Sequence, residues 1–170
     1  MNNRAELQIG RDGAPRRPLK ARPIRKQLPQ EVPGWVDSDE AVYFITICCQ
    51  KRGVNQLTQP NISRRLLDSI RYRHQKGEWF MHLGMLMPDH AHFLVSFPER
   101  ARNMNTVISK WKEWTAKSLK VKWQRDFFEH RLRRDESFDE KAEYIWANPV
   151  RAGLVSDAND WPHNFVSDTD

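Results

Sequence analysis

The spacing of apolar residues changes along the chain, and each change predicts a new element. Residues 41–50, AVYFITICCQ, are dense in β-branched and aromatic side chains and end at Lys51-Arg52-Gly53, which predicts a strand and a turn. After Pro60, Ile62, Leu66, Leu67 and Ile70 keep helical spacing, with Asn61 or Ser63 available as a cap and Gly77 as a stop. Trp79 to Met87 and His90 to Phe97 read as two strands joined at Pro88-Asp89. Met104, Val107, Ile108, Trp111, Thr115 and Leu119 then recur at helical steps. Phe127 to Arg133 reads as a last edge strand. Ser137 can cap a third helix through Ala142, Tyr144, Ile145 and Trp146 that stops at Asn148-Pro149, and the remainder, Trp161-Pro162 included, is a short packing segment.

The order βαββα followed by β predicts an α+β domain: a ferredoxin-like antiparallel sheet with its helices packed on one face. Length and composition agree, since 170 residues with seven Trp and eight Phe supply one domain with a core. The first 34 residues read differently, as a flexible basic Pro-rich arm ahead of a single domain over residues 35–170. Over residues 1–30, eight cations against Glu6 and Asp12 account for the whole net charge of +6. Such an arm has little to bury against the entropy of ordering, and it suits either solvation or weak contact with phosphate. Cys48 and Cys49 are adjacent on a strand and form no disulfide framework, which points to a reducing, cytoplasmic compartment. No apolar run reaches membrane-spanning length, and the N-terminus lacks the apolar core of a secretion signal.

The candidate chemistry centres on His90-Ala91-His92. Strand alternation projects both imidazoles from one face, a partial metal site that by spacing alone is weak evidence. Its surroundings say more. Residues 87–95, MPDHAHFLV, resemble the histidine-pair segment of the single-strand insertion-sequence transposases of the HUH family. Residues 123–133, WQRDFFEHRLR, and 144–155, YIWANPVRAGLV, resemble the later segments of the REP-associated tyrosine transposases within that family. The likeness runs from about Tyr43 to Pro162 and leaves the basic arm outside.

That resemblance implies a protein of DNA transposition that recognises hairpin or single-stranded DNA, cleaves it and rejoins it, and acts as a homodimer. It implies a Mg²⁺ or Mn²⁺ ion on His90 and His92, and a tyrosine on a following helix as nucleophile. By eye, Trp114 stands at that nucleophile position, and an indole has no ionisable hydroxyl. Thr115 and Ser118 are weaker substitutes, and Tyr144 reads as a packing residue of its segment. Candidates for a third ligand are Glu113, Ser118, Glu129 and His130, while Asp89 can cap the turn or support His90. Lys110, Lys117, Arg131, Arg133, Arg134 and Arg151 are candidate DNA contacts, or equally surface ion pairs. Three readings stay open: a working strand transferase, a hairpin-binding module without catalysis, and a nuclease using metal-bound water.

Overall fold

The structure, a computed structural model, describes residues 41–98, 104–132 and 138–167. The basic arm, the start of the domain near Trp35, the arginines at 133 and 134 and the capping Ser137 lie outside these residues. Strand β1 (Tyr43–Cys48) leads to helix α1 (Pro60–Gln75), then to β2 (Phe80–Met87) and β3 (His90–Ser96). Helix α2 (Met104–Leu119), β4 (Phe128–Arg131), α3 (Phe138–Arg151) and β5 (Asn164–Val166) follow. The strands form one antiparallel sheet in the order β4-β1-β3-β2-β5. The first four strands with α1 and α2 make the expected ferredoxin-like unit, and β5, unforeseen in the sequence, extends its edge.

Strand alternation divides the core between the two faces of the sheet. On one face Ile45 and Ile47 of β1 and Ala91, Phe93 and Val95 of β3 meet Leu66 and Ile70 of α1 and Ile108 and Trp111 of α2. On the other, Phe44, Leu83, Met85 and Leu94 meet Ala142 and Ile145 of α3, with Trp161 alongside. The helices therefore do not share one face: α1 and α2 cover the first, and α3 lies on the second. Full burial of each such Leu, Ile or Phe contributes about 1.5 to 3 kcal/mol, so apolar packing holds the helices on both faces.

Two helix boundaries differ from expectation for local reasons. Helix α1 starts at Pro60 itself, after Gln59, with no side-chain cap from Asn61 or Ser63. Proline suits a first helical position, because its fixed φ fits and its missing N–H would be unpaired there anyway. Helix α3 runs through Asn148-Pro149 to Arg151 instead of stopping there. Pro149 cannot donate to the Ile145 carbonyl, but the Asn148 side-chain amide reaches the carbonyls of Tyr144 at 2.8 Å and Ile145 at 3.5 Å. Among the described residues no helix is long and apolar enough to cross a membrane.

Candidate functional site

The second face carries the polar cluster. In the β1–β3 register Thr46 lies opposite His92 and Cys48 opposite His90, so all four side chains point to the side covered by α3. The two imidazole centroids are 4.8 Å apart. His90 Nδ1 is 2.6 Å from Asp89 Oδ1, and a carboxylate can only accept, so the neutral ring carries its proton on Nδ1 and keeps its lone pair on Nε2. His92 Nδ1 is 2.8 Å from the Thr46 hydroxyl. No described residue hydrogen-bonds either Nε2. Each ring is thus gripped at one nitrogen, and the other nitrogen is left to face a ligand.

Asp89 is itself anchored. Its Oδ2 accepts from the Gly53 N–H at 2.6 Å and lies 3.2 Å from Arg52 Nε, which ties the turn before β3 to the loop after β1. Burial alone would raise the Asp89 carboxyl, but the bonds from His90 and Gly53 and the Arg52 charge outweigh it and hold it below its ordinary value. Burial lowers His90, against the opposing pull of its Asp89 bond. Burial, with the charges of His90 and Arg52 added, pushes His92 down to about 3. At neutral pH the site therefore offers two uncharged imidazoles beside a charged carboxylate.

Tyr144 completes the cluster. The buried stripe of α3 is Ala142, Ile145 and Pro149, and Tyr144 sits one step around the helix from it. Its ring lies 6.0 Å from that of His92 and 6.0 Å from that of Phe44, while Phe44 stacks on His92 at 5.5 Å. The Arg151 guanidinium lies 5.1 Å from the Tyr144 ring centroid. With 42% of the residue exposed, Tyr144 is reachable from solvent. Of the chain's three tyrosines it alone is at the histidine pair: Tyr43 packs against Phe97, and Tyr72 stands exposed on α1 beyond the opposite face.

The expectation for Trp114 is corrected by the same geometry. Helix α2 packs on the first face through Val107, Ile108 and Trp111, so the sheet separates Trp114 from the histidines. Glu113, Ser118, Lys110 and Lys117 go with it; Glu113 pairs with Lys117 Nζ at 2.6 Å, and Ser118 and Lys110 are exposed. Thr115 is buried there and donates to the Trp111 carbonyl. Glu129 lies opposite Ile45 and Arg131 opposite Tyr43, which turns both away from the site. His130 is on the site's face, opposite Phe44, but one row removed from His92. Among the described residues no group of three His, Cys, Asp or Glu is placed to hold a metal ion. Of the arginines named from sequence, Arg151 alone is placed beside the cluster, and Arg133 and Arg134 fall outside the described residues.

Sequence reasoning missed Thr46 and Tyr144. The signal for Thr46 was its place in the strand alternation between Phe44 and Cys48. For Tyr144 it was elimination, since no other tyrosine follows Tyr72.

Known proteins place this geometry in context. No family model matches the chain. A Haemophilus influenzae protein named "Putative REP-associated tyrosine transposase" is 29% identical over 139 residues, spanning 72% of this chain and 78% of the relative. An Escherichia coli K12 protein named "REP-associated tyrosine transposase" is 32% identical over 83 residues, 46% of this chain and about half (48%) of the relative. In fold, the chain is similar to a solved REP-associated tyrosine transposase bound to a REP hairpin, with a TM-score of 0.64 and 23% identity over 74% of this chain and 76% of that one. By sequence the chain is similar to proteins named REP-associated tyrosine transposase, and it shares the fold of the solved one.

Proposed function

We propose that this protein cleaves and rejoins single-stranded or hairpin DNA through a covalent link to Tyr144, with Mg²⁺ or Mn²⁺ bound by His90 and His92. The observation that carries the reading is the Tyr144 ring standing 6.0 Å from His92, on the same face and open to solvent. The relatives' names and the REP hairpin in the solved neighbour support hairpin DNA as the form recognised.

The residues present fit a divalent ion, since two neutral imidazoles offer Nε2 atoms that no described residue hydrogen-bonds, and their Nδ1 atoms are already held. Such an ion would supply Lewis-acid polarisation of the scissile phosphate. The chain's own groups do the rest. Asp89 and Thr46 fix the rings in place, and the Tyr144 oxygen forms the new bond to phosphorus. The phenol gives up its proton to water as it attacks, the bond from phosphorus to the departing sugar oxygen breaks, and that oxygen takes a proton from water and leaves as a hydroxyl. Arg151, beside the phenol ring, attracts the phosphate. Because one phosphodiester replaces another in kind, attack by a sugar hydroxyl reverses the step and rejoins the strand. Every group named comes from one chain, so the step calls on no second copy.

The reading of a binding module without catalysis rested on Trp114, and with Trp114 beyond the sheet it loses its motive. The nuclease reading differs in its product. Labelled hairpin DNA with a single-stranded flank, incubated with the protein and Mn²⁺ and run on a denaturing gel, is expected to yield a covalent adduct. Tyr144→Phe is expected to lose the adduct and keep hairpin binding. Free ends without an adduct from the unaltered protein would replace Tyr144 by water as the nucleophile.

A further inference from the structure

We infer that Phe128 is a stacking platform for an unpaired base of the DNA strand at this site. The inference rests on the reading of the site as one for single-stranded or hairpin DNA.

Phe127 and Phe128 are neighbours with opposite fates. Phe127 is half-buried beneath Lys112, whose Nζ is 5.4 Å from its ring centroid. Phe128, on β4, leaves 59% of its surface to solvent, the most exposed of the large apolar residues described. Nothing in the fold requires a phenylalanine there, because β4 is an edge strand and a polar β-branched residue would serve the ladder as well. Its position is what distinguishes it from a stray surface apolar residue. Phe128 lies opposite Thr46 and Thr46 opposite His92, so the three form one row across three strands on the site's face. The Phe128 ring meets Phe44 edge-on at 6.2 Å, and Phe44 is the residue that both stacks on His92 and touches Tyr144.

Along the chain Phe128 lies among exposed charges of both signs, Arg125, Asp126 and Glu129, and on the site's own face Arg151 stands at Tyr144. An exposed aromatic ring in the same row as the histidine pair, with the Arg151 guanidinium at neighbouring Tyr144, suits a nucleobase with its phosphate better than it suits an apolar peptide. Stacking of this kind tolerates any base, so the platform would hold the strand beside the site without reading its sequence.

The test places 2-aminopurine at successive positions in the unpaired flank of a hairpin DNA and follows its fluorescence and binding by the full chain in EDTA, where no cleavage intervenes. Quenching at one flank position is expected, with Phe128→Ala removing it and weakening binding about 5- to 100-fold. Phe128→Trp should retain both. Phe128→Leu, apolar but without a π-face, should behave as Phe128→Ala, and a blunt hairpin without a flank should bind all four proteins alike. Equal binding and quenching by the unaltered protein and Phe128→Ala would overturn the platform alone. No binding of hairpin DNA by the unaltered protein would overturn the site reading with it. Recovery by Phe128→Leu would make the contact a merely apolar one and also count against stacking.

Discussion

The two faces of the sheet are built from alternate residues of the same strands, yet they are finished differently. On the α1–α2 side, Trp79, Phe93 and Trp111 are fully buried and pack ring against ring, with centroids 5.4 to 6.2 Å apart. Polar atoms there are closed off: the indole N–H of Trp111 donates to Ser69 Oγ at 2.9 Å and that of Trp123 to Thr115 Oγ1 at 2.8 Å. On the α3 side the aromatic groups Phe44, His92 and Tyr144 also touch, but the cluster ends in exposed rings and in imidazole nitrogens with no hydrogen-bond partner among the described residues. One face spends its aromatic residues on stability and the other on reach, and a single sheet keeps them in register.

This contrast can be broken most sharply from the site side. His92→Ala should lower strand cleavage by on the order of a thousandfold, measured as initial rates with Mn²⁺, while leaving the melting temperature within a few degrees. Trp111→Ala should do the opposite: a loss of about 3 to 5 kcal/mol in urea unfolding, with cleavage per folded molecule intact. A third prediction concerns acid. Burial, with His74 nearby, pushes His82 down to about 4, so the native state resists a proton that the unfolded chain accepts near 6.5. Its contribution is complete above pH 6.5 and is lost as pH falls from there towards 4. The loss is on the order of 2 to 3 kcal/mol, and in His82→Phe the acid limb of a stability-against-pH curve should be shallower.

Thr46→Val tests how the rings are gripped. It should weaken Mn²⁺ binding, read from the free-ion EPR signal, by about 10- to 100-fold, and Thr46→Ser should restore most of that affinity. An unchanged affinity in Thr46→Val would show that the hydroxyl does not position His92. The smallest effect is expected at Trp114, which is 40% exposed beyond the opposite face. Trp114→Ala should alter stability by less than about 0.5 kcal/mol and leave adduct formation at the unaltered level, and a lost adduct would restore Trp114 to the site.

Most of the elements were legible because each depends on local spacing. Ile62, Leu66 and Ile70 identify α1, and the apolar density of residues 41–50 identifies β1, whatever surrounds them. What was not legible was the face each helix takes. The stripes of α2 and α3 look alike as patterns, and only the pairing of Phe44 and Leu94 with Ala142 and Ile145 shows that α3 crosses to the other side. Trp114 was expected beside the histidine pair for that reason: it lies at a plausible distance along the chain, but its helix covers the first face, while Tyr144, a packing residue by pattern, is brought to His92 by the tertiary path. β5 escaped notice because three residues, Asn164 to Val166, carry too short an alternation to stand out. The histidine pair was visible throughout, since strand periodicity alone puts both rings on one side.

Asp89 has one further implication. A single carboxylate holds the His90 ring with one oxygen and the Gly53 backbone with the other, so the loop after β1 and the imidazole are two arms of one lever pivoting at the β2–β3 turn. A displacement of Arg52, which lies against the same carboxylate, would be felt at His90 as a change in ring orientation. Length changes in that loop, which ordinary surface loops tolerate, would here be transmitted as misalignment at a distant nitrogen.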